Sequence, residues 1–337
     1  MVIEKNSNRA RLDYVDVVKG FGILLVCLGH SIGKTDEPFN VFLNAFHMPL
    51  FFFVSGLLFY GKDVSNSSFL KFIRRKAFTI LLPQLVCTCI GLVWRTLWYV
   101  VLTKEMSFSD IITFDIVGWF LIVLFIMEII MWLALHIKKT LVQTIIPVSF
   151  FALFFAITSI HNVMPLVLPD ALSDYLWKTA EQICVAVCFG FLGMHLFPLI
   201  KAYKEKVKLH GLCLPAFCIV AIISFYNPVL MYINEYGNKL LFILAAVLGV
   251  LATFELSFLF EKSKILIYIG KNSIIIYVFQ FALTACLLGF SRKLFGWVAG
   301  DYPQSYIIFL VLCAVLAPIT WFCNKYVPFL FGKTKKH

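Results

Sequence analysis

The chain reads as an all-α polytopic membrane protein of about ten transmembrane helices, a single domain over 1–337 with both termini cytoplasmic. Three observations carry that expectation. The 337 residues are 61% apolar and only 14% charged, with a mean hydropathy of +0.91. A soluble domain of this length must face water and cannot hold that balance. The apolar residues also fall in long runs, each close to the roughly 20 residues that cross a bilayer as a helix. Finally, Lys and Arg alternate by side between the runs, as the positive-inside rule requires.

Taken in order, the runs are 15–33, 41–60, 77–102, 114–136, 142–159, 179–200, 211–227, 239–260, 265–290 and 305–325. The first follows a polar segment, Met1 to Leu12, and no small-residue cleavage site succeeds it, so it is expected to stay as a helix rather than be removed as a signal. The second carries Pro49 near its start, which removes a backbone donor, and Ser55-Gly56, a small face for close helix approach. The third follows the basic cluster Arg74-Arg75-Lys76 at the end of the first cytoplasmic loop. The fourth holds Glu128 well inside it, with Arg95 of the third as a possible partner. The runs 142–159 and 211–227 are short enough to be re-entrant. Between the fifth and sixth, residues 160–178 contain His161, Pro165, Pro169, Asp170 and Asp174, the make-up of an ordered lid or re-entrant loop.

With the N-terminus cytoplasmic, that side receives Lys5, Arg9, Arg11, Lys62, Lys71, Arg74, Arg75, Lys76, Lys138, Lys139, the run Lys201 to Lys208, Lys262, Lys264, Lys325, Lys333, Lys335 and Lys336. The other side receives Lys34, Lys104, Lys178, Lys239, Arg292 and Lys293. An even number of crossings follows, because both ends land on the basic side.

The same numbers exclude several functions. The net charge of +11 is spread over many short loops and forms no nucleic-acid surface. The 10 cysteines lie in apolar runs without zinc spacing and read as packing residues. Phosphate-loop, Gly-x-Ser-x-Gly and His-Glu-x-x-His motifs do not occur, so ATP-driven transport, serine hydrolysis and zinc proteolysis of those kinds find no support, and no metal site is expected.

His30 and Lys19 carry the strongest functional signal. An imidazole inside a membrane span is expensive to keep and is a functional candidate by default. Lys19 lies eleven residues earlier on the same helix, about 16 Å away at 1.5 Å per residue. Lys19 can therefore meet a cytoplasmic anion while His30 works deeper in the membrane. His47, at the outer end of the neighbouring antiparallel helix, can face the same cavity. Arg74, Arg75 and Lys76 lie on the side of Lys19, where the four cations together suit the phosphates of a nucleotide-like donor. Glu128 needs a cation or a histidine as a partner. Trp119-Phe120-Leu121 reads as interfacial aromatics or a sugar-stacking platform.

The stretch from Leu12-Asp13-Tyr14-Val15-Asp16 through Lys19-Gly20 to Leu28-Gly29-His30, followed by Phe46-His47-Met48-Pro49 and Ser55-Gly56, resembles acyltransferase family 3. The branch it looks most like is the one of fucose 4-O-acetyltransferase-like proteins. The basic residue, ten intervening residues and histidine of that family fall here on Lys19 and His30, and its basic cluster on Arg74, Arg75 and Lys76. Trp119-Phe120-Leu121 and Ile269-Gly270-Lys271-Asn272-Ser273 also fit. This chain has Gln280 where family members often carry a late histidine, and its basic cluster reads Arg-Arg-Lys rather than two spaced arginines.

The resemblance implies O-acylation of a surface or lipid-linked glycan, with acetyl-CoA as donor co-substrate and no permanently bound cofactor. Lys19, Arg74, Arg75 and Lys76 would hold the donor phosphates. His30 would act as general base or acyl carrier, with His47 and Glu128 assisting. Asp16, Ser55, Trp119 and Gln280 are the candidate acceptor contacts. The rival expectation is a proton-coupled transporter or glycan flippase with His30, His47, Glu128 and Arg95 along its path; a non-catalytic scaffold leaves His30 unexplained.

Overall fold

The computed structural model describes residues 12–61, 64, 68–98, 118–137, 140–163, 170–207 and 211–333. Lys5, Arg9, Arg11, Lys62, Lys104, Lys138, Lys139, Lys208, Lys335, Lys336, Pro165 and Pro169 lie outside them, as does the side chain of Arg95. The described residues form an all-α bundle: α1 (Asp13–Ile32), α2 (Pro38–Asn44), α3 (His47–Leu57), α4 (Phe69–Lys76), a π-helical turn (Ala77–Leu81), α5 (Leu82–Trp98), α6 (Trp119–His136), α7 (Thr140–Val163), α8 (Asp170–Lys206), α9 (Cys213–Tyr226), α10 (Lys239–Leu259), α11 (Lys264–Lys271), α12 (Ser273–Phe295), α13 (Tyr302–Tyr326) and a 3-10 turn (Pro328–Phe331). Nine helical stretches among the described residues are long and apolar enough to cross a membrane, and α9 is a shorter apolar helix. The protein is a multi-pass membrane protein.

α9 has only 14 residues, yet it runs the height of its partner α10. At one end Glu255 of α10 accepts from the backbone N–H groups of Gly211 and Leu212 at 3.1 and 3.0 Å and from Tyr203 of α8 at 3.0 Å. At the other end Asn227 accepts from the N–H of Asn238 at 2.6 Å and donates to the carbonyls of Tyr236 and Asn238. These amide bonds satisfy backbone groups that would otherwise face hydrocarbon, and they tie α9 to both ends of a helix that spans. α9 thus counts as the tenth crossing rather than a re-entrant segment.

Four expectations change in detail. Run 142–159 is not short: α7 continues to Val163, over 24 residues. Much of the anticipated lid is the start of α8, which extends over 37 residues from Asp170. The run 265–290 is two helices, α11 and α12, parted at Asn272, whose side chain donates to the carbonyl of Tyr268 at 2.8 Å. The basic cluster does not end a loop but lies in α4, continuous with α5 through the π turn. Pro83 explains that turn, since it offers no N–H to the carbonyl of Thr79 and its ring crowds that carbonyl, so the helix widens just before it.

The second crossing departs most from expectation. It starts at Pro38, and it breaks at Ala45 and Phe46, so His47 opens the second half rather than the outer end. Pro49 is the cause: it cannot donate to the carbonyl of Ala45, but in the first turn of a new helix no donor is needed there. Phe46 packs over Gly249, midway along α10. The break therefore sits near half-depth in the bundle.

Two helix pairs approach at backbone distance. A Cβ on Gly56 of α3 would strike the backbone of Gly190 of α8, so the small face expected at Ser55-Gly56 does its work there. On the opposite flank, Gly20 of α1 meets the backbone of Leu266, and Gly270 meets that of Asp16. These two contacts fix α1 and α3, the helices that carry His30 and His47.

Candidate functional site

α1 and the broken α2–α3 crossing bring the two histidines together. His30 occupies the last turn of α1 and is exposed. One ring edge rests on Phe281 of α12, with centroids 5.5 Å apart and planes at 85°. His47 lies within electrostatic range of His30. Its Nδ1 is 2.7 Å from the carbonyl of Leu43, the last turn of α2. A carbonyl only accepts, so Nδ1 carries the proton and the Nε2 lone pair is left for another partner. The last turn before the break thus orients one imidazole through a carbonyl that also accepts from the N–H of Phe46 at 3.2 Å.

Asn40 of α2, buried at 6% exposure, fixes the other. Its Nδ2 donates to the carbonyl of Gly29 at 3.0 Å and to that of Lys34 at 2.5 Å. The residue next to His30 is therefore clamped to α2, whose last turn also holds the His47 ring through Leu43. The loop after α12 adds a bond from the N–H of Gly300 to the carbonyl of Ile32 at 2.8 Å. Sequence reading passed over Asn40; its signal was a lone amide in an apolar run, Phe39-Asn40-Val41, which needs a partner once buried.

The cations are arranged differently from the single cluster that the sequence suggested. Lys19 pairs with Asp16 at 2.6 Å, one turn back on α1. Asp16 is buried at that helix start, at the opposite end of α1 from His30. Lys76 pairs with Glu128 at 2.5 Å, so the buried carboxylate of α6 has its cation from α4. Arg74 and Arg75 are exposed, and Arg75 lies 5.9 Å over the ring of Phe72.

Between Lys19 and Lys76 runs the last described segment of the chain. Gly332 packs on Thr79 of the π turn. Lys333 donates to Asn272, and to Asn324 at 2.7 Å, while Asn324 donates to Asn272 at 2.8 Å. Lys333 thus joins the basic rim, a member that no local pattern distinguished from the other terminal lysines.

Among the remaining candidates, Ser55 is half-buried beside the Gly56 contact. Trp119 opens α6, half-buried, and lies 6.4 Å from Phe52 and 6.0 Å from Phe120, packed against the core. Gln280 is buried in α12 at 2% exposure, one residue before the ring that touches His30, and its Oε1 has no hydrogen-bond partner among the described residues. An unpaired buried amide oxygen is costly, which makes Gln280 ready to accept from a ligand or a water.

A family model described as an acyltransferase domain matches residues 12–329, nearly the whole chain. No curated protein and no solved structure matches it.

Proposed function

Because the chain belongs to the acyltransferase family 3, we propose that this membrane acyltransferase moves an acetyl group from cytoplasmic acetyl-CoA to a hydroxyl of a cell-surface or lipid-linked glycan. The observation that carries the reading is the histidine pair, His30 in the last turn of α1 and His47 at the break of the second crossing, with a basic rim at the end of the bundle where α1 begins. In the plasma membrane of a bacterium, the positive-inside rule puts that rim in the cytoplasm, where the polyanionic donor resides.

The chemistry follows from the placement. A sugar hydroxyl comes up to the exposed His30 and its oxygen attacks the thioester carbonyl. His30 takes the hydroxyl proton as the new C–O bond forms. The C–S bond then breaks, and the imidazolium returns the proton to the leaving thiolate, giving ester and free thiol. A positioned base contributes typically about 10²–10⁴ in rate, so orientation of donor and acceptor must supply much of the rest. Nε2 of His47 and Oε1 of Gln280 are acceptors suited to holding acceptor hydroxyls. An acyl-histidine route uses the same residues in two steps.

The test uses membranes containing wild-type or His30→Ala protein, radiolabelled acetyl-CoA and an envelope-glycan extract. Label in base-labile ester with wild type alone supports the reading; equal label with both removes His30 from the chemistry. A helix broken at half-depth is also a device of secondary transporters. Absence of transfer by well-expressed wild type over a range of glycans would favour that second reading.

A further inference from the structure

A cavity of about 370 Å³ lies at the basic end of the bundle, apart from His30 and His47. That size falls within the roughly 300–1,000 Å³ of small-molecule sites. Tyr60 and Gly61 after α3, Leu135 of α6, Gln143 of α7, and Met194 and His195 of α8 wall it. The lining is chosen for something flat and polar rather than for a lipid chain. Tyr60 is 39% exposed, and its ring is braced edge-on by Phe197 at 5.3 Å. His195 is exposed, and its ring is held nearly parallel to Phe191, 6.3 Å away. Pro198 lies inside α8. It has no N–H, so the carbonyl of Met194, one turn back, loses its helical donor and is left as an acceptor. Gln143, half-buried in the wall, adds an amide able to donate and accept.

What lies beside the cavity narrows the ligand further. Phe59 forms part of its wall. Phe59 also meets Phe72, with centroids 6.3 Å apart, and Lys76 lies 5.9 Å from each of those two rings. Arg75 lies over Phe72. The cations of α4 thus begin one side chain away from a site built of two rings, a free carbonyl and an amide. That is the sequence of groups a nucleotide presents: a flat base, a sugar, then phosphates.

We propose that this cavity is the nucleobase subsite for the acyl donor, with the purine against Tyr60 and His195. Its exocyclic amine donates to the carbonyl of Met194, Gln143 meets a ring nitrogen, and the phosphates lie outward toward Arg74 and Arg75. The proposal rests on the reading of the donor as acetyl-CoA and adds which residues select its nucleotide half.

The experiment compares acetyl-CoA with S-acetylpantetheine, which lacks the nucleotide, in purified wild-type, His195→Ala and Gln143→Leu proteins, together with binding of adenosine 3′,5′-bisphosphate to each. One base–aromatic stack is worth on the order of tenfold or more. The ratio of kcat/KM for acetyl-CoA to that for S-acetylpantetheine is expected to fall about tenfold in His195→Ala, through KM, with a matching loss of bisphosphate affinity. His195→Phe, which keeps a ring, is expected to restore most of both. An unchanged ratio and unchanged bisphosphate affinity in well-folded His195→Ala and Gln143→Leu would overturn the subsite while leaving the donor in place. Wild-type protein that neither transfers from acetyl-CoA nor binds the bisphosphate would overturn the donor reading and the subsite with it.

Discussion

The basic end of the bundle and its middle hold their polar groups by opposite means. At the basic end, cations meet carboxylates and amides: Lys19 with Asp16, Lys76 with Glu128, Lys204 with Glu261, and Lys333 with two asparagines. At the break of the second crossing and in the last turn of α1, His47 and the turn beside His30 are held through backbone carbonyls instead. The difference follows from solvation. A full charge near the headgroups is cheap to pair and to hydrate, whereas within hydrocarbon a neutral imidazole bonded to a carbonyl avoids the cost of burying an ion. The basic end is thus tied by charge pairs, and the histidine region by hydrogen bonds to the backbone.

Changes on either side of that contrast should fail in different ways. Glu128→Ala leaves the ammonium of Lys76 buried without its carboxylate and should cost about 3 kcal/mol or more of stability. Thermal unfolding in detergent would show it, and Lys76→Met in the same protein should recover most of the loss. A Glu128→Ala protein that melts like wild type would mean that the pair is not a structural tie.

Asn40→Leu should act on rate instead. Loss of the clamp on Gly29 lets the His30 turn shift, and displacement of about 1 Å can cost on the order of 100-fold in kcat. KM for the donor should stay within about twofold, since Asn40 is remote from the basic rim. Donor KM rising as much as kcat falls would show that the two regions are coupled rather than separate.

Lys19→Gln should give the smallest effect. Lys19 already has Asp16 as partner, so removing its charge should raise donor KM by only about threefold to tenfold, with kcat nearly unchanged. The increase should shrink at high salt, because the rim is open to solvent. A large fall in kcat would place Lys19 in the chemistry instead.

The places where sequence reading fell short share one cause. Run 41–60 was legible as a crossing and Pro49 as a disturbance, yet the depth of the break depended on where Phe46 packs on α10. Glu128 was legible as a buried carboxylate in need of a cation. That the cation is Lys76 depends on how far α4 and α6 are rotated toward each other, which no spacing in the sequence encodes. Asn272 sat in a segment that looked like one span, and only the close contact of α11 with α1 shows why the helix stops there.

The sequence by itself determined the solvent, the crossings, the family and the prominence of Lys19 and His30, because hydropathy, charge placement and short motifs are properties of neighbours along the chain. The tertiary structure alone decided that two histidines come within electrostatic range, that Asn40 clamps the turn of one of them, and which carboxylate each lysine meets. Those are contacts between helices, and within a membrane the apolar faces that set helix rotation are nearly indistinguishable by hydrophobicity, so close packing at small residues and the satisfaction of buried polar groups settle them.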